Sequence, residues 1–89
     1  YAIIETFQPH GEFSHNSIRA CPVEGQGLST SMRVECSTAM RQKYPVGTKI
    51  KIRAQLKHTG SGPHLYTYFK WTYEVVTDQQ ANEFIQGIN

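Results

Sequence analysis

The chain has 89 residues, of which 38% are hydrophobic and 18% charged, the proportions of an ordinary globular domain and not of a disordered or fibrous one. A chain of this length buries roughly 60–65% of its unfolded surface, so one modest core can hold it without an obligatory metal or disulfide set. Nine Lys and Arg against seven Asp and Glu leave a formal net charge of +2, too small by itself to argue for a nucleic acid or a membrane as partner. No apolar run approaches the length of a membrane span and no signal-peptide pattern is seen, so a cytoplasmic protein without a membrane role is expected. The first residue is Tyr1 and not Met, which implies that a preceding piece was removed.

Residues 1–7, YAIIETF, are β-branched and aromatic and read as a first strand. Residues 8–17 follow as a loop rich in Pro, Gly, His, Ser and Asn, and a connection of that length is more often functional than a tight one. Its His10 and His15, like His58 and His64 further on, invite a metal reading. Neither their spacing nor the residues around them match a zinc pattern, so solvated loop histidines are expected and no metal or cofactor is assigned.

Strands over about 18–23 and 28–36 are predicted to form a hairpin around Glu24-Gly25-Gln26-Gly27. In the second arm Leu28, Thr30, Met32, Val34 and Cys36 alternate with Ser29, Ser31, Arg33 and Glu35. Pro22 cannot donate to a ladder and places the first arm at a sheet edge or a bulge. Cys21 and Cys36 could form one bridge, but a turn near Gln26 would set Cys21 across from about Ser31. Two reduced, buried thiols are therefore preferred, which favours an intracellular site. Ser37 or Thr38 can cap a short helical turn carrying Ala39 and Met40, which Pro45 would end.

The clearest signal is residues 46–76, read as one long hairpin with strands over about 46–58 and 64–76. Val46, Ile50, Ile52, Ala54 and Leu56 alternate with Lys49, Lys51, Arg53 and Lys57, giving a strand with one dry and one wet face. A two-residue turn at Gly60-Ser61, with a positive φ at Gly60, would set Leu56 opposite Leu65, Ile52 opposite Phe69 and Ile50 opposite Trp71. That register collects the large apolar residues, including Phe69, Trp71 and Tyr73, on the core face, whereas a slip of one would bury Lys70. On the outer face it sets Lys51 opposite Lys70 and Arg53 opposite Tyr68. A closing helix over about 78–87 is capped by Thr77 or Asp78 and carries an apolar stripe of Ala81, Phe84, Ile85 and Ile88.

These elements make residues 1–89 one small, mainly β domain. The order β-β-β-α-β-β with a C-terminal α-helix is that of a five-stranded antiparallel barrel of the OB type or of a strongly curved sheet; an SH3-like barrel or a curved α+β sheet would read much the same. In an OB-type arrangement the loops at 8–17 and 59–63 would border the ligand face. Cations interleaved with aromatic rings suit single-stranded DNA or RNA, with Lys49, Lys51, Arg53, Lys57 and Lys70 on phosphates, Tyr66 and Tyr68 under bases, and His10 and His15 as loop contacts. The same residues also suit a plain solvated strand face, since Lys and Arg discourage edge pairing and Tyr favours strands. The alternative function is a protein-interaction or dimerisation module using Phe84 and Ile88. Catalysis is not expected: there is no Gly-rich phosphate loop, no metal-spaced cluster and no convincing nucleophile and base.

Overall fold

The computed structural model describes residues 1–9, 18–60 and 62–88. Its elements are β1 (Ala2–Phe7), β2 (Arg19–Pro22), β3 (Arg33–Glu35), α1 (Thr38–Lys43), β4 (Lys49–Ile52), β5 (Gln55–Thr59), β6 (Gly62–Tyr66), β7 (Tyr73–Val76) and α2 (Asp78–Ile88). The structure is mainly β. The strands form two sheets, one ordered β2-β1-β4-β7 and the other β3-β6-β5, and among the described residues these do not close into a barrel. Nor is the pairing wholly antiparallel, because β3 runs parallel to β6.

β1 is the centre of the larger sheet, and its sequence explains why. Ala2, Ile3 and Ile4 are all buried, a continuous apolar run that fits a strand covered on both faces. On one face Ala2 and Ile4 join Ala20, Ile50 and Ile52 and meet Val34, Leu65 and Met40 from the smaller sheet and α1. On the other face Ile3 packs against Ala81 and Ile85 of α2, with Val23, Val76 and Phe84 around them. The molecule is thus layered, with the larger sheet between the smaller sheet and the C-terminal helix.

The helices follow local rules. Ser37 Oγ accepts from Met40 N at 3.1 Å and caps α1, and Tyr44, just before Pro45, is extended. At α2, Thr77 Oγ1 accepts from Gln80 N at 3.1 Å, while Gln80 Oε1 accepts from Thr77 N at 2.9 Å, a reciprocal capping box.

The predicted hairpin over 18–36 does not form. β2 pairs with β1, β3 pairs with β6, and residues 24–32 lie in turns outside any strand. Two forces divert the chain. Gly25 and Gly27 take φ values of +100° and +81°, and Ser29 Oγ accepts from Ser31 N at 3.2 Å, competing with a ladder. Gln26 then acts as a surrogate strand residue beyond Pro22: its Oε1 accepts from Ile3 N at 3.0 Å, and its Nε2 donates to Ile3 O at 2.6 Å and Val23 O at 2.9 Å. Pro22 itself is on an edge strand, where its missing N–H costs least.

The long hairpin survives only at its tip. Gln55 pairs with Tyr66 and Leu56 with Leu65, as the turn register requires, although the positive φ, +102°, falls at Gly62 and not at Gly60. Beyond the tip the partner strand leaves the sheet. Thr67 N donates to Glu35 O at 3.0 Å, Trp71 N donates to Tyr68 O at 2.9 Å, and the chain rejoins only at Tyr73. Ile52 therefore pairs with Tyr73 and Ile50 with Val75, four residues later along the partner than a continuous hairpin gives. The shift is even in number, so Ile50 and Ile52 keep the buried face while every expected partner changes.

Gln26→Ala is expected to lower stability by about 1–3 kcal/mol, since it removes side-chain bonds to both backbone groups of Ile3. A urea denaturation series should show a lower midpoint with an unchanged slope. A loss no larger than that of Gln55→Ala on the exposed β5 would refute the surrogate-strand role of Gln26.

Candidate functional site: an aromatic and basic patch

The excursion between β6 and β7 brings together residues that the continuous register keeps apart. Tyr66 ends β6, Thr67 turns into the interior, and Tyr68, Phe69 and Trp71 follow on the outside. Their rings meet edge to face: Tyr68 and Phe69 centroids are 4.9 Å apart, Tyr68 and Trp71 5.9 Å, and Tyr66 and Trp71 6.2 Å. Phe69 is 67% exposed and Tyr68 37%. The assignment of Phe69, Trp71 and Tyr73 to the core therefore fails. Phe69 and Tyr73 lie at the surface and Trp71 is half-buried, because the chain that carries Phe69 and Trp71 is out of the sheet.

Three cations sit on these rings. Lys57 Nζ is 4.0 Å from the Tyr66 centroid, the Arg53 guanidinium 5.2 Å from Trp71, and Lys70 Nζ 5.7 Å from Phe69. At exposed sites each such contact contributes about 0.5–1 kcal/mol, enough to bias the position of a side chain but not to lock it. Of the residues expected from sequence to contact a ligand, Arg53, Lys57, Lys70, Tyr66 and Tyr68 are thus gathered in one patch. The sequence register missed Phe69 and Trp71, and only the mixed, non-alternating run Tyr68-Phe69-Lys70-Trp71 hinted that this stretch was not a two-faced strand.

Lys49 and Lys51 are directed elsewhere. The β1–β4 ladder sets Lys49 beside Glu5, and its Nζ lies 2.8 Å from Glu5 Oε2 and 2.8 Å from Asp78 Oδ1. Hydrogen bonds to Asp78 and then Glu5 hold this ammonium above the usual lysine range. Lys51 Nζ stands 4.8 Å over the Phe84 ring of α2 and 5.3 Å over Tyr1, and its strand partner is Glu74, not Lys70. Phe84 is half-buried against its own chain, and Ile88 is exposed at the end of the stripe. His10 and His15 lie outside the described residues.

His64 is not a solvated loop histidine. It is 3% exposed in β6, flanked by β3 and β5, with Nε2 3.1 Å from Glu35 Oε2, while its Nδ1 is buried with no partner among the described residues. Among the described residues no three His, Cys, Asp or Glu side chains converge as a metal site would need. Cys21 and Cys36 are free and half-buried. Burial raises both thiols above their ordinary range, with Glu5 adding to the effect at Cys21 and Arg41 opposing it at Cys36. Both thiols therefore remain protonated, and weakly nucleophilic, at neutral pH.

The Lys49 pair gives a signed pH dependence. A lysine whose folded pKa is raised contributes stability below its unfolded value, about 10.4, and loses it as pH rises through the folded one. As pH rises above the unfolded value the midpoint of thermal unfolding should therefore fall more steeply for the parent chain than for Lys49→Met, and equal slopes would refute the ion-pair contribution. Comparison with protein-family models, with curated proteins and with solved structures found no match to this chain.

Proposed function

We propose that the chain is a small, non-catalytic binding domain that holds single-stranded nucleic acid on the patch formed by Tyr66, Tyr68, Phe69 and Trp71 with Arg53, Lys57 and Lys70. One observation carries this: four aromatic side chains form one connected cluster, with Tyr68 and Phe69 exposed and Tyr66 and Trp71 half-buried, and a cation lies over three of the rings, those of Tyr66, Phe69 and Trp71. Large exposed aromatics are unfavourable in water unless something covers them, and bases do so with about 1–3 kcal/mol of stacking each. The cations supply the phosphate attraction. Their present positions over the rings cost little to leave, so each can turn toward a phosphate as a base takes its place. Lys49 is excluded from the contact set because two carboxylates already hold it.

A second reading has its own observation. β5 ends the smaller sheet, all five of its residues are exposed, and Leu56 is among them. Such an edge can accept a strand from a protein partner or another copy.

Trp71 is the only tryptophan, so its emission reports directly on the patch. Titration with a short oligothymidylate at low salt should quench that emission. With three phosphate contacts the logarithm of affinity should fall with that of salt at a slope of about −2. Arg53→Gln, Lys57→Gln or Lys70→Gln should each flatten the slope, and Tyr68→Ala or Phe69→Ala should weaken binding by about 1–3 kcal/mol without changing it. Lys49→Gln should leave the slope as it is. No quenching at low salt rules the nucleic-acid reading out, and a mass that doubles with protein concentration and reverts with Leu56→Lys supports the edge-strand reading instead.

A further inference from the structure

A separate feature lies on the other side of the smaller sheet. A cleft of about 560 Å³ is lined by residues of β2, β3 and α1, a volume in the range of small-molecule sites. It shares no lining residue with the aromatic patch. Three of the four arginines in the chain line it, Arg19 from β2, Arg33 from β3 and Arg41 from α1, and no lysine does among the described residues. Like charges brought to one concavity oppose folding unless they meet an anion.

Little within the described chain neutralises them. Among the described residues neither Arg19 nor Arg33 enters an ion pair, and the one carboxylate on the lining, Glu35, has Oε2 3.1 Å from His64 Nε2. Arg41 Nη2 donates to Thr38 Oγ1 at 3.1 Å and the guanidinium also reaches the Cys36 thiol, but among the described residues its buried Nε–H has no acceptor. A buried donor left unpaired is uncommon and marks a place where an acceptor belongs. Phe7, Ile18 and Met32 supply apolar wall beside these groups.

We propose that this cleft binds a small organic anion, a carboxylate or phosphate head held by Arg33 and Arg41 with an apolar body against Phe7, Ile18 and Met32. Guanidinium is the cation suited to such heads, because its planar fork donates two parallel hydrogen bonds to one oxyanion, which an ammonium cannot do. The apolar wall selects against the bare inorganic ion.

The test is titration of the isotope-labelled chain with benzoate and with phenyl phosphate, followed by amide chemical shifts. One of the two should give saturable shifts at Arg33, Val34, Cys36 and Arg41 with a dissociation constant in the range of about 0.1–5 mM, and the tighter probe identifies the head. Inorganic phosphate should bind roughly tenfold more weakly and benzyl alcohol should give no saturable shift. Arg33→Gln, at an exposed position that leaves the fold intact, should weaken binding by roughly fivefold or more, and Arg41→Lys, which keeps the charge and loses the fork, should weaken it too. Phe69→Ala and Lys70→Gln should leave this binding unchanged, which separates its outcome from that of the nucleic-acid proposal. No saturable shift with either probe, equal binding by benzyl alcohol, or equal binding by the parent chain and Arg33→Gln would overturn the assignment.

Discussion

Ile3 and Ile4 are adjacent, both have no exposed surface, and they point to opposite faces of one strand. That single requirement organises the molecule. A strand that must be dry on both sides needs two separate covers, and an 89-residue chain has only enough apolar material for one small sheet and one helix. The smaller sheet with α1 covers Ile4, and α2 covers Ile3. Each fully buried isoleucine contributes about 1.5–3 kcal/mol relative to exposure, a large share of the stability of so small a domain.

Covering both faces of β1 explains what happens to the basic strand. β4 pairs beside β1, so the side of β4 opposite Ile50 and Ile52 faces α2 and not open water. Lys49 meets this by bridging Glu5 and Asp78, which ties β4 to β1 and to the first turn of α2. Asp78 also suits the positive end of the α2 dipole. Lys51 lies over Phe84 with its ammonium at the rim, as long cationic side chains do on apolar surface. The two lysines nearest the start of the row are thus structural, and only the cations beyond the end of β4 meet the aromatic cluster.

The excursion at 67–72 is the second consequence. One strand cannot serve both sheets without a break, and the partner chain makes that break by looping out Tyr68, Phe69, Lys70 and Trp71 between β6 and β7. Segments displaced from pairing are where side chains become available for recognition, and here the displaced segment is aromatic. The arginine-lined cleft arises on the opposite margin, where the edge strands β2 and β3 approach without hydrogen-bonding to each other. Both surfaces are products of having two small sheets in place of one closed barrel.

Local chemistry was legible in the sequence. The alternation over 49–52 gave the buried face of β4, the turn signals after His58 pointed to the register of Leu56 with Leu65, Ser37 or Thr38 and Thr77 or Asp78 marked the helix starts, and Pro22 marked an edge or a bulge. Each of these depends on residues within a few positions of one another, where propensity, capping and turn geometry act directly. The tertiary structure alone decided the parallel pairing of β3 with β6, the four-residue shift that brings Tyr73 to Ile52, the engagement of Lys49 by Glu5 and Asp78, and the burial of His64. A period-two pattern specifies which face of a strand is dry but is unchanged when the partner slides by an even number of residues. Which strand lies alongside, and where a partner leaves the ladder, depended on the need to cover both faces of Ile3 and Ile4 at once.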